Sequence, residues 1–253
     1  MTLPENSKPT ALITGGSRGL GFEVARGLAS QGFDLILIAK DPARLGAAKE
    51  KLHSEFGEQI GVTSYSVDLE NPDATRKLGT EIAQAITPNI LVLAHGVMSE
   101  KMSKTLKTTD EEWKRVMSIN LDSVFILVNA IAPKMVEKRD GRIIIFSACL
   151  GRMTGPGNAG GLAPYRISKS GVNALVRNLA HETGLGARGI LVDAMCPNHS
   201  RTDMGGPDAA RSAEEGAETA VWLATRKFYF NNKDNEAESI TGVLWEDRQI
   251  VPW

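Results

Sequence analysis

Short apolar runs alternate along the chain with longer segments in which apolar residues recur at helical spacing. The apolar runs, which we predict to be strands, lie at 10–14, 35–39, 61–67, 90–93, 142–146, 190–195 and 242–245. The segments that we predict to be helices lie at 22–28, 43–56, 73–85, 109–138 and 165–183. Because uninterrupted apolar strands need cover on both faces, this order predicts an α/β fold with a doubly wound parallel sheet and helices on both faces.

No Pro/Ser-rich linker, repeat or low-complexity tract divides the chain, so residues 1–253 are predicted to form a single domain. The segment 151–164 holds five Gly and two Pro and is predicted to be a mobile loop. The segment 226–239 is polar with an aromatic patch and is predicted to be a surface insertion. Since ligands bind beyond the carboxyl ends of parallel strands, we expect 151–164 and 202–211 to border a pocket.

A glycine-rich turn joins the first predicted strand to the first predicted helix. Its glycines at 15, 19 and 21 allow the backbone to turn sharply and to approach a ligand closely. The free N–H groups at the start of the helix attract a phosphate group. The sheet is therefore predicted to be of the Rossmann type, with the turn binding a dinucleotide through Gly15, Ser17, Arg18, Gly19, Leu20 and Gly21. A plain strand-to-helix turn is the alternative, since one glycine-rich turn is a weak signal.

In this turn the sequence resembles the short-chain dehydrogenase/reductase family, whose phosphate turn has the spacing TGxxxGxG. The resemblance continues through Asp68-Leu69, Asn120, Tyr165-x-x-x-Lys169 and the segment 197–202, and it covers nearly the whole chain. The segments 165–169, 201–206 and 251–253 are most similar to the carbonyl-reductase-like branch. The resemblance implies further cofactor contacts from Asp68, Leu69, Ala94, Gly96, Asn120, Tyr165, Lys169, Pro197, Asn198, Ser200 and Thr202.

The residues after the second predicted strand favour NADP(H) over NAD(H). In the family an acidic residue at the end of this strand binds the adenosine ribose of NAD, whereas this chain has Ala39 followed by Lys40. Lys40 and Arg18 together are suited to bind a 2′-phosphate. Asp41 follows directly and would partly offset the charge of Lys40. The alternative is that both cations are ordinary solvated surface residues.

Tyr165 and Lys169 lie four residues apart, so that on a helix both side chains project from one face. The resemblance implies that Tyr165 is the general acid/base, that Lys169 holds the nicotinamide ribose and that Asn120 supports a water relay linked to Lys169. A tyrosine with its ordinary pKa of about 10 exchanges protons poorly at neutral pH, and we expect the neighbouring ammonium to lower this pKa. Taken alone, Tyr-x-x-x-Lys also fits an ordinary amphipathic helix.

The serine that polarises the substrate carbonyl in the family has no counterpart at its position. Counting back from Gly151 puts Ala148 there, with Ser147 one residue earlier. Neighbouring residues of a strand face opposite sides, so Ser147 replaces the missing serine only if the strand end bulges. We keep Ser147 as a predicted catalytic residue, with Thr154 as an alternative. Loss of one donor to the carbonyl oxygen would cost roughly 3 kcal/mol of transition-state stabilisation.

Composition and charge narrow the class of partners. The 29 Lys and Arg balance 30 Asp and Glu to a formal net charge of −1, which gives no field that would gather nucleic acid or an anionic membrane. Two cysteines cannot form a disulfide framework, and four histidines without ligand spacing predict no metal site. The apolar runs are strand-length, shorter than a membrane span. We expect a cytoplasmic protein with a small-molecule partner, and family habit implies a homo-oligomer, a dimer or a tetramer.

The sequence therefore predicts an enzyme, an NADPH-dependent oxidoreductase that reduces a ketone or an aldehyde by hydride transfer, with Tyr165 as proton donor. A family member redirected to the reduction of imines or enones is the first alternative, because it would depend less on the missing serine. A non-catalytic nucleotide-binding protein is the second alternative. The combination of Tyr165, Lys169 and Asn120 argues against it.

Overall fold

In a computed structural model, residues 8–100, 103–155, 159–230 and 238–253 of the chain are described. They form a single sheet with helices on both faces. The strands are β1 Thr10–Thr14, β2 Asp34–Ala39, β3 Val62–Ser66, β4 Ile90–Leu93, β5 Gly141–Phe146, β6 Ile190–Met195, β7 Leu244–Glu246 and β8 Gln249–Val251. The helices are α1 Gly19–Ala29, α2 Pro42–Phe56, α3 Pro72–Ala85, α4 Asp110–Met117, α5 Ser123–Lys138, α6 Ala163–Glu182 and α7 Ala213–Thr225.

The strands lie in the order β3-β2-β1-β4-β5-β6-β7-β8, and all neighbours from β3 to β7 pair in parallel. The predicted α/β fold class and doubly wound sheet are confirmed. β8 departs from the prediction because it pairs with β7 antiparallel, through a tight turn at Asp247 and Arg248. Both turn residues have positive φ, which suits the twist of a two-residue hairpin. The strand order reverses between β1 and β4, and ligands bind at such a switch point.

The apolar residues of each strand alternate between two buried clusters, one on each face of the sheet. In β1, Ala11 and Ile13 belong to the cluster that α1, α2 and α7 cover. Leu12 belongs to the cluster that α3, α5 and α6 cover. Burial on both faces explains why polar residues do not interrupt the apolar runs of the sequence.

A side-chain cap fixes the start of α2 just beyond the carboxyl end of β2. The Asp41 carboxylate accepts hydrogen bonds from the backbone N–H groups of Ala43 (2.9 Å) and Arg44 (3.1 Å). Pro42 occupies the first helical position, where its missing N–H has no consequence. The cap places the first turn of α2 beside the edge of the sheet at which a ligand would bind.

The helix predicted at 109–138 is a continuous helical stretch from Asp110 to Lys138, with a π-helical turn at Ser118–Asp122 between α4 and α5. By length and composition alone, this stretch is long and apolar enough to cross a membrane. Its uninterrupted apolar runs are nevertheless strand-length, as predicted, because polar residues such as Asn129 divide them. In the fold its apolar side chains, among them Leu127 and Ile131, pack into the core beneath the sheet.

The predicted surface insertion at 226–239 begins with a core residue. The Arg226 guanidinium is buried and donates a hydrogen bond of 2.8 Å to the Asp193 carboxylate in β6. It also lies 5.2 Å from the ring centroid of Trp222 and 4.8 Å from that of Trp245. The prediction of a surface insertion is thus wrong for Arg226, because the ion pair and the aromatic rings hold its side chain in the protein core. Residues 231–237, and residues 156–158 of the predicted mobile loop, lie outside the described residues.

Candidate active site

A cleft of about 950 Å³ lies at the carboxyl ends of the parallel strands, at the switch point of strand order. The predicted cofactor residues that line it are Gly15, Ser17, Arg18, Gly19, Leu20, Gly21, Lys40, Asp68, Leu69, Ala94, Gly96 and Thr202. The other predicted cofactor residues, which do not line the cleft in the described part of the chain, are Asn120, Tyr165, Lys169, Pro197, Asn198 and Ser200. Most of the predicted binding residues therefore meet in one place.

The glycine turn after β1 is a closely packed backbone cradle. Gly15 has a φ of +68°, and a Cβ at this residue would lie 3.2 Å from the Cα of His95. A Cβ on Gly21 would overlap the carbonyl oxygen of Gly15. Arg18 is the N-cap residue of α1, and its side chain makes no hydrogen bond to the backbone N–H groups of the first turn. The Arg18 side chain therefore does not occupy these donors. The turn therefore fits a bound pyrophosphate.

Three cations from different elements meet at the β2 end of the cleft. Arg18 and Arg44 both pair with the Asp203 carboxylate, and the distance from Arg44 Nη1 to Asp203 Oδ2 is 3.7 Å. Lys40 Nζ lies 2.6 Å from Asp68 Oδ2. Burial, followed by the nearby charge of Arg44, lowers the pKa of Arg18. Two guanidinium groups around one carboxylate form an arrangement that a phosphate group also fits.

Sequence reasoning missed two of these residues, Arg44 and Asp203. A signal for Arg44 was present, because it lies four residues after Lys40 and directly beyond the cap of α2. Asp203 lies in the segment 202–211 that was expected to border the pocket, but nothing in the sequence indicated its two cationic partners. Its ion pairs join segments that are far apart in the sequence.

Tyr165 and Lys169 lie one turn apart on the buried face of α6, with 7% and 4% of their surface exposed. Lys169 Nζ donates a hydrogen bond of 2.7 Å to the carbonyl oxygen of Phe146 and lies 5.9 Å from the centroid of the Tyr165 ring. A Cβ on Gly96, which lines the cleft, would lie 3.5 Å from Lys169 Nζ. The lysine is therefore directly behind the wall of the cleft.

Burial determines the pKa values of this pair. Burial raises the pKa of Tyr165, and the nearby thiols of Cys196 and Cys149 raise it further. The expectation that Lys169 lowers the pKa of Tyr165 is therefore wrong. Burial also lowers the pKa of Lys169 to about 8. At neutral pH the tyrosine keeps its proton and most of the lysine remains charged, which is the state that a proton donor requires.

Asn120, in the π-helical turn, holds the wall of the cleft in place. Its Oδ1 accepts a hydrogen bond from the Val97 N–H at 2.8 Å, and its Nδ2 donates to the Val97 carbonyl at 2.9 Å. The same Nδ2 donates to Ser168 Oγ at 3.1 Å. Both ends of the buried amide are thus engaged by protein groups. These contacts support a positioning role for Asn120 rather than the water relay that the resemblance implies.

The contacts of Ser147 do not support the predicted catalytic role. Its Oγ donates hydrogen bonds to Asn173 Oδ1 (2.5 Å) and to the Lys169 carbonyl (3.4 Å), both on α6. Ala148 packs in one apolar cluster with Tyr165. Thr154, the alternative hydroxyl, is exposed. Ser147 therefore braces β5 against α6, and a methyl group lies at the position of the missing serine.

The segment after β6 reaches the cleft at residues 201–204, where Thr202 is the one predicted cofactor residue among the described lining residues. Asn198 has a φ of +56°, and its amide donates a hydrogen bond of 3.4 Å to Asp247 in the β7–β8 turn. Ser200 Oγ donates to the Pro197 carbonyl at 2.9 Å. Thr202 lies over the glycine turn, where a Cβ on Gly19 would be 3.2 Å from its Cγ2.

His95, which follows β4, links three elements through its ring nitrogens. Nδ1 lies 2.6 Å from Thr14 Oγ1 at the end of β1, and Nε2 lies 2.7 Å from Ser123 Oγ at the start of α5. Burial, together with the charge of Lys169, lowers the pKa of His95 to about 3. The ring is therefore neutral at physiological pH and holds the base of the cleft together.

The sheet, the glycine cradle and the cleft at the switch point define an α/β protein built to bind a nucleotide. The family model for short chain dehydrogenases matches residues 9–213, and the chain belongs to this family. A curated 3-oxoacyl-[acyl-carrier-protein] reductase of Escherichia coli (strain K12) is 34% identical over 195 residues, which cover 77% of this chain and 74% of that relative. The resemblance found in the sequence is thereby confirmed at the level of the family.

Solved structures show the same fold. A short chain dehydrogenase/reductase family protein is 26% identical and has a TM-score of 0.78, over 96% of this chain and 97% of that chain. A blue fluorescent protein from a metagenomic library, solved in complex with NADPH, is 23% identical with a TM-score of 0.78, over 94% and 96% of the two chains. The assignment to the carbonyl-reductase-like branch stays a prediction.

Proposed function

We propose that this protein is an NADPH-dependent oxidoreductase that reduces a ketone or an aldehyde to an alcohol. The observation that carries the proposal is one cleft with three cations at its β2 end and the buried Tyr165–Lys169 pair behind its other wall. The naming of the Escherichia coli relative as a 3-oxoacyl-[acyl-carrier-protein] reductase supports a ketone substrate. The NADPH bound to the similar blue fluorescent protein supports the cofactor.

The residues along the cleft fit NADP(H). The glycine turn would hold the pyrophosphate, and Arg18, Lys40 and Arg44 would hold the 2′-phosphate in exchange for their carboxylate partners. The nicotinamide ribose would lie beside Gly96, within reach of Lys169. When bound, NADPH supplies the hydride that the carbonyl carbon receives.

Tyr165 supplies the proton in this scheme. Its raised pKa keeps the hydroxyl protonated until negative charge develops on the carbonyl oxygen of the substrate. Lys169, one turn further along α6, would hold the nicotinamide ribose in place beside the tyrosine. Asn120 keeps the Gly96–Val97 wall and Ser168 in fixed positions.

Ala148 gives a specific reason for a second candidate function, the reduction of imines or enones. No hydroxyl at residue 148 shares the charge that develops on a carbonyl oxygen, a loss of roughly 3 kcal/mol for ketone reduction. A protonated imine nitrogen needs no such donor. The two functions use the same cofactor cleft and differ only at the substrate.

The oxidation of NADPH, followed over a panel of ketones, aldehydes, quinones, enones and cyclic imines, separates these functions. Turnover of ketones or aldehydes supports the first proposal. Turnover of imines or enones alone supports the second. Tight binding of NADPH without turnover of any compound would contradict both and would leave a nucleotide-binding protein.

Tyr165→Phe tests the proton donor on whichever substrate is turned over. We expect kcat to fall by roughly 10²–10⁴-fold while the Kd for NADPH stays the same, because the ring and the Lys169 contacts remain. Tyr229→Phe, at a half-exposed tyrosine, serves as the matched control and should leave both values unchanged. If Tyr165→Phe retains most of the activity, the proton comes from another group and the proposed mechanism is wrong.

The proposal includes a cytoplasmic location and a homo-oligomer. Trp113, Phe125 and Ile167, on α4, α5 and α6, are 40%, 51% and 43% exposed. Exposed apolar side chains of this size are the residues that a subunit interface would cover. Light scattering of the purified protein measures the number of chains in each particle. We expect two or four, and a single chain would contradict the proposal.

A further inference from the structure

The two cysteines of the chain lie together beyond the carboxyl ends of β5 and β6, near Tyr165. Cys149 begins a short 3₁₀ turn after β5, and Cys196 follows directly after β6. These strands are parallel neighbours, with Phe146 opposite Met195. The backbone N–H of Cys149 donates a hydrogen bond to Cys196 Sγ, with a nitrogen–sulfur distance of 3.0 Å. Two cysteines that are far apart in the sequence are therefore in direct contact.

The surroundings of the two thiols give them different reactivities. Cys149 is partly exposed, whereas Cys196 is 2% exposed. A hydrogen bond between the side chains lowers the pKa of Cys149 and raises that of Cys196. The carboxylate of Glu246 opposes a negative charge on either sulfur, and Arg152, 4.0 Å from Glu246, partly neutralises it. Cys149 is thus the thiol that an oxidant meets first, with Cys196 beside it.

We propose that Cys149 and Cys196 are a peroxide-sensitive thiol pair that closes to an intrachain disulfide between the ends of β5 and β6. The Cys149 thiolate attacks one oxygen of hydrogen peroxide, so that an S–O bond forms, the O–O bond breaks and hydroxide leaves. The Cys196 sulfur then attacks the sulfenic sulfur. The S–S bond forms, the S–O bond breaks, and the hydroxyl leaves as water with the Cys196 proton. In total, two thiols lose two electrons and two protons, and one peroxide becomes two waters.

The position of the turn connects this chemistry to the active site. The Gly151 carbonyl, at the end of the same turn, accepts hydrogen bonds from Ser170 Oγ (2.8 Å) and Asn173 Nδ2 (3.2 Å) of α6. A Cβ on Gly151 would lie 2.7 Å from Lys169 Cβ. A disulfide needs the two sulfurs at about 2.05 Å, which draws Cys149 towards β6 and away from α6. Oxidation should therefore loosen the support of Lys169 and reversibly lower activity.

Treatment of the full chain with hydrogen peroxide tests the inference without knowledge of the substrate. We expect both thiols to disappear from a count with Ellman's reagent, the summed mass of the two cysteine peptides to fall by two hydrogens, and dithiothreitol to reverse both changes. Non-reducing peptide mapping should find Cys149 linked to Cys196 within one chain. These readouts do not depend on the proposed reductase activity, so a failure of one proposal is distinguishable from a failure of the other.

Two variants serve as controls. Cys196→Ala should add oxygen to Cys149 without forming a disulfide, and Cys149→Ala should leave Cys196 as a free thiol. If a variant does not fold, the peptide map of the wild-type chain decides alone. Two free thiols after treatment, a gain of oxygen at Cys149 of the wild type or a cross-link between chains would each overturn the inference.

Discussion

Asp203 lies where a 2′-phosphate would bind, and its replacement by Asn tests the proposed cofactor. Before NADPH binds, this carboxylate must leave both Arg18 and Arg44. The side chains of Arg18, Arg44 and Asp203 are 53%, 50% and 69% exposed, so both ion pairs are surface pairs. A surface pair stabilises by about 0.2–1 kcal/mol, and two pairs by about 0.4–2 kcal/mol. Asp203→Asn should therefore tighten NADPH binding by roughly 2- to 30-fold.

Fluorescence titration with NADPH and NADH at low and high salt measures this effect. NADH lacks the 2′-phosphate, so its Kd should not change. Asp208, on the same loop, forms no ion pair within the described residues, and Asp208→Asn is the matched control. Salt screens exposed charges and should reduce the difference between wild type and Asp203→Asn. An unchanged Kd for NADPH, or an equal gain for NADH, would refute competition between Asp203 and the phosphate.

Three further variants test the core and the catalytic residues. Arg226→Met should lower the free energy of unfolding by about 3–5 kcal/mol, because it leaves Asp193 buried without its cation. Urea unfolding measures this free energy, and a loss below about 1 kcal/mol would contradict the expectation. The pKa of Lys169 falls from 10.5 to about 8 on folding, so the unfolded chain binds more protons between these pH values and stability should rise with pH. Lys169→Met should abolish that part of the rise in urea unfolding, and an identical rise in both proteins would show that other groups cause it. Ala148→Ser should raise kcat for a ketone by up to about a hundredfold at constant NADPH affinity, and no gain would mean that the hydroxyl does not limit the rate.

Local sequence signals were sufficient for much of the fold and of the nucleotide cleft. The run at 10–14 identifies β1, because a strand buried on both faces needs apolar side chains at every position. The spacing of Gly15, Gly19 and Gly21 identifies the cradle, because the first two have positive φ and a Cβ on the third would overlap the Gly15 carbonyl. Each of these signals lies within a few residues of the feature that it predicts.

The features that the sequence did not reveal depend on contacts between distant segments. Asp203 meets Arg18, and Arg226 meets Asp193, only when the chain is folded. The raised pKa of Tyr165 has the same origin, because its causes are burial and the nearby Cys196 and Cys149, which are distant from it in the sequence. Spacing along a helix predicts which groups are neighbours and says little about how much water remains between them.

The π-helical turn at Ser118–Asp122 determines what the deletion of one residue does to this part of the chain. A π turn is a single extra residue that a helix accommodates locally, so the apolar faces of α4 and α5 stay in phase on either side of it. Deletion of one residue elsewhere in a core helix rotates everything beyond it by about 100°. Deletion within this turn instead restores regular α-helix and withdraws Asn120 from Val97 and Ser168. A chain with one residue deleted from this turn should therefore keep the packing of α4 and α5 and lose the Asn120 contacts at the cleft.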